Sequence, residues 1–247
     1  MAGRIAYTGG IVTNGLILNL DAAKRDSYPG SDIVWNDLSG NNRNGTLTSS
    51  PTYSSANGGS IAFNGTSSYC AFSGNTFNFS PGTTGELSLE IWVYPTGPYT
   101  TYLSEPPTTN LGGLFGQGFF NANIGWGIGV DTTSGVNNFQ FQVRNIGAIS
   151  APRSSFTNNN WYHVVGTFTR NENTRLYMNG SLVASASNAN IGNLTITPNN
   201  NNAAIGRGGG IPFYAGGNVA SARIYNRPLS PTEVTQNYNA LKGRFGL

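Results

Sequence analysis

Strict alternation of apolar and polar residues in short, turn-bounded runs constrains this chain most. The run Glu86-Leu87-Ser88-Leu89-Glu90-Ile91-Trp92-Val93-Tyr94 puts Leu87, Leu89, Ile91 and Val93 on one side and Glu86, Ser88, Glu90, Trp92 and Tyr94 on the other. Successive strand side chains point to opposite faces, so this pattern makes a strand with one face in a core. Pro95 is expected to end it, because proline has no N–H for a ladder. Residues 138–143 alternate as strictly. Further strands are expected at 16–20, 60–63, 69–72, 126–130, 162–169, 174–178, 181–184, 203–206 and 219–225. Asn179-Gly180 falls between two of these runs and is the strongest hairpin signal in the chain. Residues 21–45 read as a long polar loop anchored by Trp35 and Leu38. Residues 95–123, rich in Pro, Gly, Thr and Phe, carry few strand signals and read as an excursion over the body.

Many short strands with turn punctuation make an antiparallel sandwich or barrel, and no fixed-period repeat points to a propeller or solenoid. The C-terminus changes character. Ser230-Pro231-Thr232-Glu233 is a capping box with proline at the first helical position. A short helix is expected to about Lys242, with Val234, Tyr238 and Leu241 on one face and Gly243 as its stop. Residues 1–14, broken off by Gly9-Gly10, read as an N-terminal arm held by its own fold or by neighbouring subunits. Residues 15–247 read as one domain.

Composition narrows the function. Only 9% of residues are charged, yet 12% are aromatic. Those aromatics lie in β-like runs, which a disordered chain lacks. The net charge of +3 comes with no run of Lys or Arg, so the basic footprint that nucleic-acid binding needs is missing. No stretch approaches the ~18 apolar residues of a membrane span. No signal-peptide-like run opens the chain, so synthesis in a cytoplasm without export by a signal peptide is expected. The single cysteine, Cys70, reads as a small core residue.

Several blocks occur in a telling order. They are Gly15-Leu16-Ile17-Leu18-Asn19-Leu20-Asp21-Ala22, Trp35-Asn36-Asp37-Leu38-Ser39-Gly40, Leu89-Glu90-Ile91-Trp92-Val93, Asn160-Trp161-Tyr162-His163-Val164-Val165-Gly166-Thr167-Phe168, Leu176-Tyr177-Met178-Asn179-Gly180 and Ala222-Arg223-Ile224-Tyr225-Asn226-Arg227-Pro228-Leu229-Ser230. Over roughly residues 15–243 the chain resembles the laminin-G-like domains of the concanavalin A-like lectin/glucanase superfamily. That resemblance implies an all-β, antiparallel jelly-roll sandwich with an N-terminal arm and a short C-terminal helix. It does not by itself fix function. The opening block and the Tyr28-Pro29-Gly30 loop are also similar to short single-domain proteins of tailed bacteriophages, marine ones especially. This second resemblance implies a non-enzymatic virion component, as a head decoration, fibre or tail protein assembled in the host cytoplasm. Its partners would be other virion proteins, itself through residues 1–14, and host-surface glycans. The alternative is a free or cell-associated carbohydrate-binding module, and a glycoside hydrolase ranks last.

Glucanases of this superfamily carry Glu-x-Asp-x-Glu on a strand, with one carboxylate as nucleophile and one as acid. Here the run is Glu86-x-Ser88-x-Glu90, and the central carboxylate is absent. His163 reads as a packed strand histidine. No cofactor is required. Relatives often hold a structural Ca²⁺, for which Asp21 and Asp37 are candidate ligands, although Ala220 and Ser221 stand where the family often has acidic residues. Sugar binding would use aromatic platforms, and Trp126, Tyr99, Tyr102, Phe119 and Phe120 are the candidates by location. Trp92 and Trp161 read as core.

Overall fold

The structure is a computed structural model that describes residues 10–73, 77, 85–102, 109–118, 125–143, 147–188, 202–208 and 212–247. Its strands are β1 (Leu16–Asp21), β2 (Val34–Trp35), β3 (Gly45–Thr48), β4 (Thr52–Ser54), β5 (Ser60–Asn64) and β6 (Tyr69–Ala71). There follow β7 (Leu87–Tyr102), β8 (Thr109–Gln117), β9 (Trp126–Asp131), β10 (Asn138–Val143) and β11 (Gly147–Ser150). The last are β12 (Tyr162–Phe168), β13 (Asn173–Met178), β14 (Ser181–Ser187), β15 (Ala204–Ile205) and β16 (Ala215–Tyr225), before helix α1 (Pro231–Leu241). All pairings are antiparallel. The first sheet runs β14-β13-β12-β7-β16, and the far edge of β16 takes β1 and then β5 with β4. The second runs β2-β3-β6-β15-β8-β9-β10-β11. This is the expected antiparallel jelly-roll β-sandwich.

The core lies between the two sheets. Leu87, Leu89, Ile91 and Val93 enter it from β7, as alternation requires, and meet Phe115, Trp126, Ile128, Phe139 and Phe141 from the second sheet. Gly166 on β12 shows how close the layers approach, because a Cβ there would drive into the ring of Phe141. Gly166→Ala is therefore expected to destabilise the fold by about 1–3 kcal/mol, the range for overpacking a filled core. Denaturant titration of the variant checks this, and an unchanged midpoint would contradict it.

Three expectations need correction. Pro95 does not end its strand: β7 continues to Tyr102, and residues 100–102 pair with β8. Pro95 sits beside a register shift against β16, where a missing N–H does little harm. Part of the supposed excursion is β8, a central strand of the second sheet. Leu38 is 38% exposed and does not anchor the polar loop, whereas Trp35 is fully buried. The hairpin forms where expected, with Asn179 and Gly180 both at positive φ. Cys70 is a buried core residue whose thiol is pushed up by burial. Among the described residues no helix is long and apolar enough to cross a membrane.

The outer face of the first sheet is also covered. Helix α1 starts with the expected capping box, in which Ser230 and Glu233 exchange hydrogen bonds. Val234 and Asn237 are buried beneath it. Residues 10–14, the described part of the arm, pack into this layer of the chain's own fold. Val12 is buried, its N–H donates to Asn237 Oδ1 at 2.7 Å, and its carbonyl accepts from the Tyr225 hydroxyl at 3.1 Å. Gln236 donates to the Gly10 carbonyl and Arg227 to that of Asn14.

Candidate functional site

The outer face of β7 decides which chemistry is open to this chain. Ser88, Glu90, Trp92 and Tyr94 line up along it, from beneath the C-terminal segment to the surface. Ser88, at the position of the missing carboxylate, donates to the Arg227 carbonyl at 2.9 Å and accepts from Leu229 N–H at 2.8 Å. Glu86 Oε1 accepts from Arg170 N–H at 3.2 Å.

Glu90 is fully buried. Its Oε1 accepts from Arg223 Nη1 at 2.5 Å, and its Oε2 accepts from Asn237 Nδ2 at 2.5 Å. His163 Nε2 lies 3.3 Å from the same Oε1, out of alignment for a hydrogen bond. Burial alone would raise this carboxyl, but the Arg223 charge, with His163 and Asn237 beside it, holds it down to about 2. Arg223 is shifted the opposite way, upward: burial works against its charge and Glu90 outweighs it. A carboxylate this deep and this firmly ionised is a structural clamp joining β7, β16 and α1. His163 is the packed strand histidine expected, lying 4.9 Å from the Trp92 ring.

The residues proposed for calcium are turned to other partners. Asp37 Oδ1 accepts from the N–H groups of Asn19 and Ser39, and its Oδ2 accepts from Ser39 Oγ and Arg43 N–H. Asp21 Oδ1 accepts from Arg244 Nη1 at 2.8 Å and from Ala23 N–H at 3.0 Å. Ala220 and Ser221 are fully buried. Among the described residues no three His, Cys, Asp or Glu side chains gather into a metal-sized group. Calcium needs six to eight oxygens, and this donor set does not fit it. Chelator is therefore expected to leave the thermal midpoint unchanged, and a fall of several degrees in EDTA that calcium restores would contradict this reading.

The sugar platforms proposed from sequence fare as follows. Trp126 is fully buried and presents no face to a ligand, because it packs in the core between the two sheets. Tyr99 is half-buried against the core, with its hydroxyl donating to Asn158 Oδ1 at 2.7 Å. The side chain of Tyr102 and the whole of Phe119 and Phe120 lie outside the described residues.

The aromatic surface that does exist contains Trp161, which the sequence placed in the core. A line of rings climbs from beneath α1. Tyr238 stacks on Trp92 at 5.9 Å, Trp92 on Phe245 at 4.3 Å, Phe245 meets Trp161 at 4.5 Å, and Trp161 meets Tyr94 at 5.4 Å. Trp92 is fully buried, but Trp161 and Tyr94 are only half-buried. Their rings, tilted at 50°, form the corner of a cleft of about 240 Å³ whose remaining lining is Ala56, Asn57, Ser60 and Asn218.

The wall beside Trp161 includes the turn at residues 56–59. Asn57 adopts φ 53°, a left-handed value that asparagine tolerates. Gly59 must be glycine, because a Cβ there would meet the backbone of Ala22. Arg244 holds the turn, donating from Nε to the Asn57 carbonyl and from Nη2 to the Gly59 carbonyl. Trp161 Nε1 donates to Asn57 Oδ1 at 3.2 Å, and Asn218 Nδ2 donates to Ser60 Oγ at 3.3 Å. Each amide keeps a further N–H and a lone pair for a ligand. An aromatic corner with a few fixed amides and hydroxyls is a general recipe for binding a small ligand that is apolar on one face and hydroxylated at its rim.

Comparison with known proteins gives the family. Solved structures similar in fold include the binding domain of Paraclostridial mosquitocidal protein 1, with TM-score 0.61 and 19% identity over 92% of this chain and 52% of that one. Domain 4 of an extracellular arabinanase from Geobacillus stearothermophilus, in complex with arabinotriose, matches with TM-score 0.61 and 20% identity over 90% of this chain and 98% of that one. The ligand-binding domain of botulinum neurotoxin serotype D, in complex with N-acetylneuraminic acid, matches with TM-score 0.63 and 14% identity over 92% of this chain and 51% of that one. The chain thus spans about half the length of the two toxin domains. A comparison with curated proteins finds no match. The family model described as the concanavalin A-like lectin/glucanases superfamily matches residues 64–235. With a lectin-like sandwich and a family match across most of its length, the chain belongs to the concanavalin A-like lectin/glucanases superfamily.

Proposed function

We propose that this chain is a non-catalytic carbohydrate-binding module whose sugar site is the Trp161–Tyr94 cleft. The observation that carries this is the cleft itself, where two surface aromatic rings meet at a corner faced by Asn57, Ser60 and Asn218. Sugar rings pair an apolar C–H face with a hydroxyl rim, and such a corner suits both. The Tyr94 hydroxyl makes no hydrogen bond to the described residues and is available to a sugar hydroxyl. Two proteins of similar fold are seen with sugars, arabinotriose and N-acetylneuraminic acid, which accords with this reading. The engagement of Glu90 and Ser88 in structural contacts supports the absence of catalysis.

Titration of the purified chain against a broad glycan array tests the proposal. Trp161→Ala is expected to weaken binding about tenfold or more, the scale of an aromatic hot spot, with the circular dichroism spectrum retained. A blank array would refute the reading. A particle setting is a further proposal, resting on the resemblance of the opening block and the Tyr28-Pro29-Gly30 loop to tailed-phage proteins. It places the module on a bacteriophage head or tail, assembled in the host cytoplasm. Antibody labelling of purified particles tests that setting, and unlabelled particles from a lysate containing the protein would end it.

A further inference from the structure

Resting on that reading of the cleft, we infer that its ligand is a neutral sugar unit and that sialylated or otherwise acidic sugars are disfavoured. Among the described residues no carboxylate, lysine, arginine or histidine lines the cleft, which is bordered by Ala56, Asn57, Ser60, Tyr94, Trp161 and Asn218. Arg244 grips the turn that forms one wall, and all three of its guanidinium nitrogens are engaged. Nε donates to the Asn57 carbonyl, Nη2 to the Gly59 carbonyl, and Nη1 pairs with Asp21 at 2.8 Å. Asp21 also offsets the charge of Arg244. A carboxylate brought into this cleft would lose water and find only neutral dipoles, and an ion that is desolvated without a partner is penalised.

The neutral groups suit hydroxyls instead. Asn57 and Asn218 each retain one N–H beyond those given to Arg244 and Ser60, and each amide oxygen has at least one lone pair left. With the Tyr94 hydroxyl they offer both donors and acceptors, as a vicinal diol requires. The volume of about 240 Å³ falls below the ~300–1,000 Å³ typical of drug-sized ligands. One sugar ring therefore occupies the corner, and the rest of a chain extends into solvent.

The test compares the full chain's affinity for matched glycan pairs with and without terminal sialic acid, by calorimetry and by array before and after sialidase treatment. Neutral glycans are expected to bind about tenfold or more tightly, equivalent to roughly 1.4 kcal/mol. Because Trp161→Ala also removes packing against Phe245, a second variant adds a charge at the half-buried Asn218. Asn218→Lys is expected to narrow or reverse the preference by raising affinity for the acidic glycans. Equal or tighter binding of sialylated glycans by the unaltered chain would overturn the selectivity while leaving the carbohydrate reading standing. Binding to neutral glycans that neither variant alters would overturn the assignment to this cleft. A chain that binds no glycan of either kind would overturn both.

Discussion

Arg223→Ala is expected to lower folding stability by about 3–5 kcal/mol, the range for removing one partner of a buried ion pair. The substitution leaves the Glu90 carboxyl fully buried and short of its 2.5 Å cationic partner, so it must either stay charged and unpaired or take up a proton, at a cost both ways. It also removes a donor to Asn19 on β1, so three strands lose a common tie. Replacing both members with apolar residues of similar volume, as in Glu90→Leu with Arg223→Met, is expected to cost much less than either deletion alone. Denaturant titration at neutral pH reads both. A single variant as stable as the unaltered chain would show that the pair is not the clamp described. The pH dependence follows from the same contact. The Glu90 carboxyl is lowered from 4.5 to about 2 in the folded chain, so its contribution is complete above about pH 4.5 and is lost as pH falls toward 2. Arg223→Ala should flatten that acid-side loss.

Truncation at the N-terminus is the second large effect. A chain starting at residue 15 is expected to be less stable than one starting at residue 10 by about 3.5–9 kcal/mol. Burial of one valine is worth roughly 1.5–3 kcal/mol, and each buried polar group left without its partner costs roughly 1–3 kcal/mol. The groups concerned are Asn237 Oδ1, which accepts from Val12 N–H, and the Tyr225 hydroxyl, which donates to its carbonyl. Asn237 also holds Glu90, so the loss reaches the ion pair. Equal denaturation midpoints for the two truncations would mean that residues 10–14 are dispensable.

Much of the fold was legible because alternation and turn chemistry are local. The β7 face assignments, the Asn179-Gly180 hairpin and the α1 capping box each depend on residues adjacent in sequence. β8 was not legible. Its run Thr-Asn-Leu-Gly-Gly-Leu-Phe-Gly-Gln lacks alternation, and its Gly113 is there because the backbone of residues 207–208 passes against it, a tertiary requirement. The continuation of β7 past Pro95 likewise depends on a register shift that only the partner strand reveals.

The candidate site was read less well, for a related reason. Aromatic content marks a possible platform, but exposure is set by what covers each ring. Trp126 and Trp161 both border strands, yet one packs in the core between the sheets and the other stands at the open end of a covered outer face. Tyr94 offered the better signal: it is the last outward residue of the alternating run, beyond the reach of the helix that buries Glu90 and Trp92. Likewise, the motif spacing of Glu86, Ser88 and Glu90 correctly put three side chains on one face, but not that α1 and the segment before it close that face.

The most direct test of the cleft uses the chain's own fluorescence. Of its four tryptophans, Trp35, Trp92 and Trp126 are fully buried and only Trp161 reaches the surface. Iodide quenching therefore reports on Trp161. With a bound neutral oligosaccharide, quenching should fall in step with saturation, and Trp161→Phe should abolish both the quenching and its protection. Saturable sugar binding measured by calorimetry with Trp161 still fully open to iodide would contradict the account.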